Sequence, residues 1–196
     1  MKTLLFDLMD TVIRDPYREA IEAATGLGLR AAHSLKDPLC WPEFEIAKID
    51  EQEFFRRFFV DPEGELRLDL EAFHRVRRAN YRFVPGMREL LTALQGRVER
   101  YVASNYPIWI EELRTSHDLD GLFEGVWASH HLGVRKPAPE FFHLLLTKIE
   151  REPADCLFID DRRENCAAAE LVGVRAHHFV EVDGLRERLR AEGVAC

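Results

Sequence analysis

Four separated points of the chain carry side chains that could together transfer an anionic group. They are Asp7, Ser104-Asn105, Lys136 and Asp160-Asp161. Carboxylates brought close together repel one another unless a cation neutralises them, and carboxylate and carbonyl oxygens suit Mg²⁺. Lys136 could hold an anionic group opposite a nucleophilic Asp7, while Ser104 donates a hydrogen bond to the same group. This set of residue types is suited to phosphoryl transfer.

Each of these points lies at the end of a predicted strand or in the loop that follows. Strands are predicted from the start of the chain up to Asp7, and at residues 98–103, 123–128, 156–159 and 174–179. Helical patterns separate them at residues 85–94, 108–116, 139–149, 165–172 and 184–191. The alternation indicates an α/β fold with a doubly wound parallel sheet. Alone, Asp7 could equally be a solvated turn residue, but ligands bind beyond the carboxyl ends of such strands.

Residues 15–82 form a predicted all-helical insert. Helical patterns cover residues 17–24, 29–36, 51–59 and 68–81, a turn is predicted at 61–64, and no segment has a convincing strand pattern. A dinucleotide-like pattern at 26–31 follows a predicted helix rather than a strand, so we do not expect a dinucleotide site. The aromatic side chains of the insert are expected in its core, with some lining a cleft: Trp41, Phe44, Phe54, Phe55, Phe58 and Phe59.

The composition narrows the class of protein. The chain has 196 residues, enough for one α/β domain with a modest insert, and its net charge of −8 argues against nucleic-acid and membrane-surface partners. It has no apolar run of about 18 residues, the length that spans a bilayer, and no signal-peptide pattern precedes the first strand. We therefore expect a cytoplasmic protein. The sequence does not indicate an oligomeric state.

The sequence resembles the haloacid dehalogenase-like (HAD) hydrolase superfamily. The resemblance rests on Phe6-Asp7-Leu8-Met9-Asp10-Thr11, on Val102-Ala103-Ser104-Asn105, on residues 133–140 around Lys136, and on residues 159–165 followed by an Ala-rich helix and Gly173. It covers residues 1–13 and about 84–182. It implies a Rossmann-like core domain over residues 1–14 and 83–196, and a helical cap over residues 15–82 that closes over the site and selects the substrate.

The resemblance also implies a nucleophile and a metal site. Asp7 would be the nucleophile that forms an aspartyl-phosphate. The Asp7 carboxylate, the backbone carbonyl of Met9 and the Asp161 carboxylate would bind Mg²⁺. Asp160 would help to hold the metal, either directly or through water.

Other residues would bind the transferring group or the substrate. Ser104 would bind the transferring group, and Lys136 would stabilise Asp7 and the developing charge. Asn105 could contact the substrate, although both Asn105 and Asn165 could instead bond to loop backbone or cap a helix. Arg14 could reach a substrate anion or form a surface salt bridge.

Met9 departs from the family pattern. Family phosphatases usually carry a second Asp at this position, which protonates the leaving group and later activates water. A thioether can do neither, and the loss of positioned acid–base catalysis costs about 10²–10⁴-fold in rate. Asp10 stands where the family usually has Gly. It could be a displaced substitute acid, or a loop residue that accepts backbone hydrogen bonds.

Three functions stay open at this point. The favoured one is a Mg²⁺-dependent phosphatase for a small phosphorylated metabolite, which either uses Asp10 or has a leaving group that needs little protonation. The second is a dehalogenase-like or phosphonatase-like reaction, the latter with a Schiff base on Lys36 or Lys48. The third is a ligand-binding protein with little turnover.

Overall fold

A parallel five-stranded sheet forms the centre of the computed structural model, which describes residues 3–60, 66 and 68–195. The predicted turn at 61–64 lies outside these residues. The strands are β1 (Thr3–Phe6), β2 (Ile13–Arg14), β3 (Arg82–Phe83), β4 (Glu99–Ser104), β5 (Gly125–Ala128), β6 (Cys156–Asp160) and β7 (Arg175–His178).

Helices make up most of the rest of the described chain. They are α1 (Tyr17–Thr25), α2 (Leu29–Leu35), α3 (Cys40–Glu45), α4 (Glu51–Arg56), α5 (Leu70–Asn80), α6 (Met87–Ala93), α7 (Ile110–Ser116), α8 (Leu119–Leu122), α9 (Ser129–Leu132), α10 (Pro139–Ile149), α11 (Arg163–Leu171) and α12 (Val182–Ala191). None of the helices in the described part of the chain is long and apolar enough to cross a membrane.

The strand order β5-β4-β1-β6-β7 places the first strand in the middle of the sheet. All neighbouring strands of this sheet are parallel. Phe6 pairs with Val102 of β4 and Ile159 of β6, so the polar residues that follow these strands emerge at one edge. The predicted α/β fold with a doubly wound parallel sheet is confirmed.

The alternation of side chains along each strand builds a core on both faces of the sheet. Leu4 and Phe6 pack in one hydrophobic cluster, which also includes residues of α6, α7 and α12. Leu5 packs in a second cluster, with residues of α10 and α11. Because both faces are covered, the central strands are buried apolar runs rather than alternating patterns.

A short antiparallel ribbon connects the insert to the sheet domain. Ile13 of β2 pairs with Phe83 of β3, and Arg14 pairs with Arg82. The prediction that residues 15–82 contain no strand is therefore wrong at Arg82, because a strand of two residues gives no alternating pattern. Both chain connections between the insert and the sheet pass through this ribbon.

The insert consists of α1–α5, and α1 packs against α5. Phe44, Phe54 and Phe58 are buried as predicted, and they share one hydrophobic cluster with the sheet domain. Trp109, which lies just before α7 of the sheet domain, enters this aromatic core. The ring centroid of Trp109 is 5.1 Å from that of Phe44. The Arg77 guanidinium lies 4.4 Å from the Trp109 ring centroid.

Candidate active site

Asp7 lies directly after β1, on the central strand. Its backbone N–H donates to the Ile159 carbonyl at 2.8 Å, so strand pairing continues through Asp7 and fixes its direction. Asp7 is 6% exposed, and its carboxylate accepts a hydrogen bond from Lys136 Nζ at 2.7 Å. Burial raises the pKa of Asp7 to about 7, because its effect and that of the Asp160 charge exceed the opposing effect of Lys136.

Lys136 joins Asp7 to Asp160. Its ammonium group also donates to Asp160 at 2.6 Å. Asp160 is fully buried and accepts further hydrogen bonds from the Arg162 N–H at 2.8 Å and from the Asn165 amide at 3.1 Å. Burial disfavours the charge on Lys136, but Asp7 and Asp160 hold its pKa above the ordinary value.

Asp161 supplies a third carboxylate at the same edge of the sheet. One oxygen from each of Asp7, Asp160 and Asp161 lies within 4.8 Å of the others. Burial raises the pKa of Asp161, and the neighbouring Asp160 raises it further. Since the only ammonium group that bonds this cluster in the described chain is that of Lys136, three ionised carboxylates leave an excess of negative charge. A divalent cation that binds oxygen ligands would neutralise this excess negative charge.

Ser104 ends β4 and is completely buried. Its hydroxyl has no hydrogen-bond partner within the described residues. A buried hydroxyl without a partner is unfavourable, and a bound anionic group would satisfy it. This position fits the expected role of Ser104 toward the transferring group, which stays a prediction.

Asn105 holds the loop that carries Lys136. Its amide nitrogen donates to the Lys136 carbonyl, and its amide oxygen accepts from the Lys136 N–H, both at 2.8 Å. Asn105 also lines the cavity described below. The structure thus places both asparagines in local bonding, Asn105 to loop backbone and Asn165 to the Asp160 carboxylate.

The loop after Asp7 turns back on itself at Asp10. Asp10 has a φ of +57°, in the left-handed region that Gly, Asn and Asp tolerate best. Its N–H donates to the Ile13 carbonyl at 2.7 Å, and its carboxylate accepts from the Asp15 N–H at 3.0 Å. These bonds favour the loop-residue interpretation of Asp10 over the substitute acid.

A cavity of about 270 Å³ separates the strand ends from the insert. From the sheet side it is lined by Asp7, Met9, Lys136 and Asp161. From the insert side it is lined by Tyr17, Lys36, Trp41 and Glu45.

Lys36 is the lysine of the insert that lines this cavity. Its Nζ donates to the Tyr17 hydroxyl at 3.2 Å and lies 5.4 Å from the Trp41 ring centroid and 5.8 Å from that of Phe58. Burial lowers the pKa of Lys36. Lys48, the other Schiff-base candidate, has a 63% exposed side chain that pairs with Glu43, and it does not line the cavity.

Glu45 connects the insert to the loop before Lys136. Its carboxylate lies 2.9 Å from Arg135 Nε, and its backbone carbonyl accepts a hydrogen bond from Ser129 Oγ at 2.7 Å. Burial raises the pKa of Glu45, although the Arg135 charge opposes this effect. These contacts hold the insert against the sheet domain beside the nucleophile.

Arg14 does not contribute to the cavity. Its side chain is 49% exposed and pairs with Glu19 of α1. Of the two interpretations of Arg14, the structure shows the surface salt bridge, and a contact of Arg14 with a substrate anion stays a prediction.

The cavity also contains charged residues that sequence analysis missed. Asp15, Glu45, Arg135 and Arg162 all line it. Asp15 follows the first motif closely, and the two arginines lie within the segments 133–140 and 159–165, so these positions could have marked all three as candidates. Glu45 had no such signal, because α3 is only six residues long and was not predicted.

A model of the haloacid dehalogenase-like hydrolase family matches residues 1–173. The chain belongs to this family. It is therefore a hydrolase, and the resemblance that the four motifs indicated is confirmed.

The HAD family relatives include curated phosphate-ester hydrolases. Flavin mononucleotide hydrolase 1, a chloroplastic protein of Arabidopsis thaliana, is 36% identical over 192 residues, which cover 97% of this chain and 77% of the relative. The sesquiterpene phosphatase AstK of Aspergillus oryzae is 29% identical over 162 residues, which cover 80% of this chain and 81% of the relative.

Solved structures of HAD-like enzymes share the fold. A predicted HAD-like hydrolase from Porphyromonas gingivalis aligns with a TM-score of 0.80 at 20% identity and covers 97% of this chain and 98% of its own. A HAD-family enzyme from Bacteroides thetaiotaomicron, in complex with magnesium and inorganic phosphate, aligns with a TM-score of 0.77 at 21% identity and covers 92% of this chain and 95% of its own.

Proposed function

We propose that the protein is a Mg²⁺-dependent phosphohydrolase that acts through an aspartyl-phosphate on Asp7. The observation that carries this proposal is the arrangement of Asp7, Asp160 and Asp161 around a common point, with Lys136 bonded to two of them. The phosphatases among the family relatives support the same reaction class.

In this proposal, each residue of the site has a task. A carboxylate oxygen of Asp7 attacks phosphorus, while the Lys136 ammonium group orients this carboxylate and favours its ionised form. The unpaired Ser104 hydroxyl donates a hydrogen bond to the transferring group. Water then cleaves the aspartyl-phosphate and regenerates Asp7.

The oxygen donors at the strand ends fit a magnesium ion. Asp7, Asp161 and the Met9 carbonyl would hold Mg²⁺, with Asp160 contributing directly or through water, and the ion would supply positive charge beside the transferring phosphoryl group. The raised pKa values of Asp7 and Asp161 support this assignment, because burial disfavours both negative charges and a bound cation would offset that effect.

We propose that residues 15–82 act as a cap that shields the site and selects the substrate. The contacts of Glu45 with Arg135 and Ser129 hold this segment over Lys136. Tyr17, Trp41 and Lys36 present flat rings and a cation to the cavity, a surface that suits a planar or anionic ring system. Flavin mononucleotide, the substrate named for the Arabidopsis relative, has such a ring and is the first metabolite to test.

The remaining expectations concern partners and location. We propose a small phosphorylated molecule as substrate, without a nucleic-acid or membrane partner. A cytoplasmic location stays a prediction, since the Arabidopsis relative is named as a chloroplastic protein.

Phosphate release with and without Mg²⁺ tests the reaction. Acetyl phosphate, p-nitrophenyl phosphate, sugar phosphates and flavin mononucleotide would be compared for wild type, Asp7→Asn and Met9→Asp. We expect Mg²⁺-dependent turnover that falls at least about 10³-fold in Asp7→Asn. Asp183→Asn, an exposed Asp on α12, is the matched control. Full turnover by Asp7→Asn would contradict the proposal, and turnover by Met9→Asp alone would favour a binding role.

The position of Lys36 supports a second candidate function. A half-buried lysine with a lowered pKa that lines the same cavity as Asp7 could form a Schiff base with a carbonyl substrate, as a phosphonatase-like reaction requires. Borohydride reduction with a phosphonylated aldehyde would then label wild type and Lys48→Met but not Lys36→Met. Absence of label in wild type removes this candidate.

A further inference from the structure

We propose that Asp15 donates the proton to the leaving-group oxygen and later accepts a proton from the attacking water. It would thus perform the task for which Met9 has no suitable group. This inference rests on the proposed phosphohydrolase function and extends it by one catalytic residue.

The backbone brings Asp15 back to the nucleophile loop. The turn closed by Asp10 N–H and the Ile13 carbonyl reverses the chain, and the Asp10 carboxylate then accepts from the Asp15 N–H at 3.0 Å. Asp15 lines the same cavity as Asp7 and Lys136. The residue therefore returns to the site although it is eight positions from the nucleophile in sequence.

The Asp15 carboxyl group is held at one oxygen only. Its Oδ1 accepts from the Tyr17 N–H at 2.9 Å, which orients the group at the start of α1. No donor among the described residues bonds its second oxygen. That oxygen is available to carry a proton and to bond a ligand atom in the cavity.

The other carboxyl groups that line the cavity have different partners. Asp7 bonds Lys136, and Asp161 belongs to the metal cluster. Glu45 is paired with Arg135. Asp10 is exposed and accepts a backbone hydrogen bond. Among the cavity-lining carboxyl groups of the described chain, Asp10 and Asp15 have neither a cation within bonding distance nor a place in the metal cluster, and of these two only Asp15 is partly buried.

The surroundings of Asp15 make its protonated form more populated than in an ordinary Asp. Burial raises the pKa of Asp15 to about 6, while the bond from Tyr17 N–H and the Arg162 charge oppose this rise. At pH 7 such a group is protonated in about one molecule in ten, against about one in a thousand for an ordinary Asp. The titratable groups that face it are Asp10 from the nucleophile loop, Glu19 and Tyr17 from α1, Tyr81 before β3, Tyr106 after β4 and Arg162 after β6.

The proton balance closes over the two steps. In the first, Asp7 forms a bond to phosphorus, the bond from phosphorus to the leaving oxygen breaks, and the Asp15 proton moves to that oxygen. In the second, ionised Asp15 takes a proton from water as the water oxygen attacks phosphorus and the bond to Asp7 breaks. The products are an alcohol and phosphate, and Asp15 is protonated again.

The test is Asp15→Asn, because an Asn oxygen still accepts from Tyr17 N–H while the amide cannot titrate. We expect kcat/KM for an alkyl phosphate to fall about 10²–10³-fold, and kcat/KM for p-nitrophenyl phosphate to change less than about threefold. With p-nitrophenyl phosphate, kcat falls and the variant accumulates one covalent phosphoryl group, which intact-protein mass spectrometry detects. Asp183→Asn is the matched control.

The pH profile provides a second measurement. In wild type, kcat/KM for the alkyl phosphate falls as the pH rises through the pKa of Asp15, and this limb is absent in Asp15→Asn. Equal losses for both substrates, or no loss, would overturn the inference while Asp7-dependent turnover stands. The same leaving-group pattern in Asp10→Asn instead would also overturn it. If wild type releases no phosphate from any substrate, both the proposed function and the inference about Asp15 fail.

Discussion

The two sides of the cavity use their charged groups in different ways. On the sheet side, the Lys136 ammonium lies 2.7 and 2.6 Å from the carboxylates of Asp7 and Asp160. On the insert side, the Lys36 ammonium bonds a tyrosine hydroxyl and faces aromatic rings. The first arrangement fixes the positions of two carboxylates, whereas the second offers a surface that many ligand shapes could contact. Under the proposed function, the reaction and the choice of substrate would be built from separate parts of the chain.

The secondary structure that supports the two sides of the cavity also differs. The sheet side stands on parallel strands whose register fixes where each polar residue emerges. The insert side stands on short helices that are joined to the sheet by a ribbon of two residues per strand. We therefore expect substitutions on the sheet side to affect every substrate, and substitutions on the insert side to affect some substrates more than others.

The largest effect is expected from Lys136→Met on the sheet side. The change leaves Asp7 and Asp160 buried without their cation, which costs about 3–5 kcal/mol in the free energy of unfolding. Phosphatase activity should fall at least about 10³-fold for all substrates. Urea unfolding without Mg²⁺ measures the first effect, and the double variant with Asp7→Asn should regain part of the stability. A single variant as stable as wild type would show that this pair does not organise the sheet side.

A smaller effect is expected for metal binding in Asp161→Asn. Saturating Mg²⁺ should raise the Tm of wild type by about 5–10 °C, and this shift should at least halve in the variant. Burial and Asp160 raise the pKa of Asp161, so its ionisation opposes folding. Without metal, the contribution of Asp161 to stability is therefore full below a pH of about 4 and is lost as the pH rises through the raised pKa. At pH 7 without Mg²⁺, the variant should unfold at or above the wild-type temperature. An unchanged magnesium shift would contradict the assignment.

On the insert side, Trp41→Leu and Lys36→Met should act on substrate binding. We expect KM for flavin mononucleotide to rise about tenfold, since each variant removes a ring or cation worth about 1–2 kcal/mol. The kcat for acetyl phosphate should change less than about twofold. Lys48→Met is the control for Lys36→Met, because Lys48 is exposed and outside the cavity. Equal losses for both substrates would mean that the insert side also organises the reaction.

The smallest effect is expected from Arg14→Gln. Exposed ion pairs contribute about 0–1 kcal/mol, so the variant should unfold within about 0.5 kcal/mol of wild type and keep its KM for all substrates. Steady-state kinetics and urea unfolding check this. A clear rise in KM would return Arg14 to the substrate site.

Much of the sheet side could be predicted because its determinants are local in sequence. Apolar runs mark the buried strands, and each ends in a polar residue, as at Asp7 and Asp160. The convergence of these residues then follows from parallel topology. What could not be predicted is the use of each side chain, as with Asn105, whose amide forms a paired bond with the Lys136 backbone across 31 positions.

The insert side was harder to predict for physical reasons. Helices of six or seven residues, such as α3, are too short for a clear helical period, and the two-residue strands β2 and β3 have no period at all. Lys36 contacts the rings of Tyr17 and Phe58, which lie 19 and 22 positions away, and Asp15 interacts electrostatically with Tyr106 from the other side of the insert. Only the tertiary structure shows these approaches.

Trp109 has a consequence for exchanging the insert between relatives. The ribbon of β2 and β3 offers an obvious pair of junctions for replacing residues 15–82 with the corresponding segment of another HAD-like enzyme. However, Trp109 belongs to the sheet domain and contacts Phe44, Phe73 and Arg77 inside the insert. A foreign segment would have to accommodate this indole in its own interior. The unit that can be transplanted is therefore the insert together with the segment around Trp109, and chimaeras joined only at the ribbon should fold poorly.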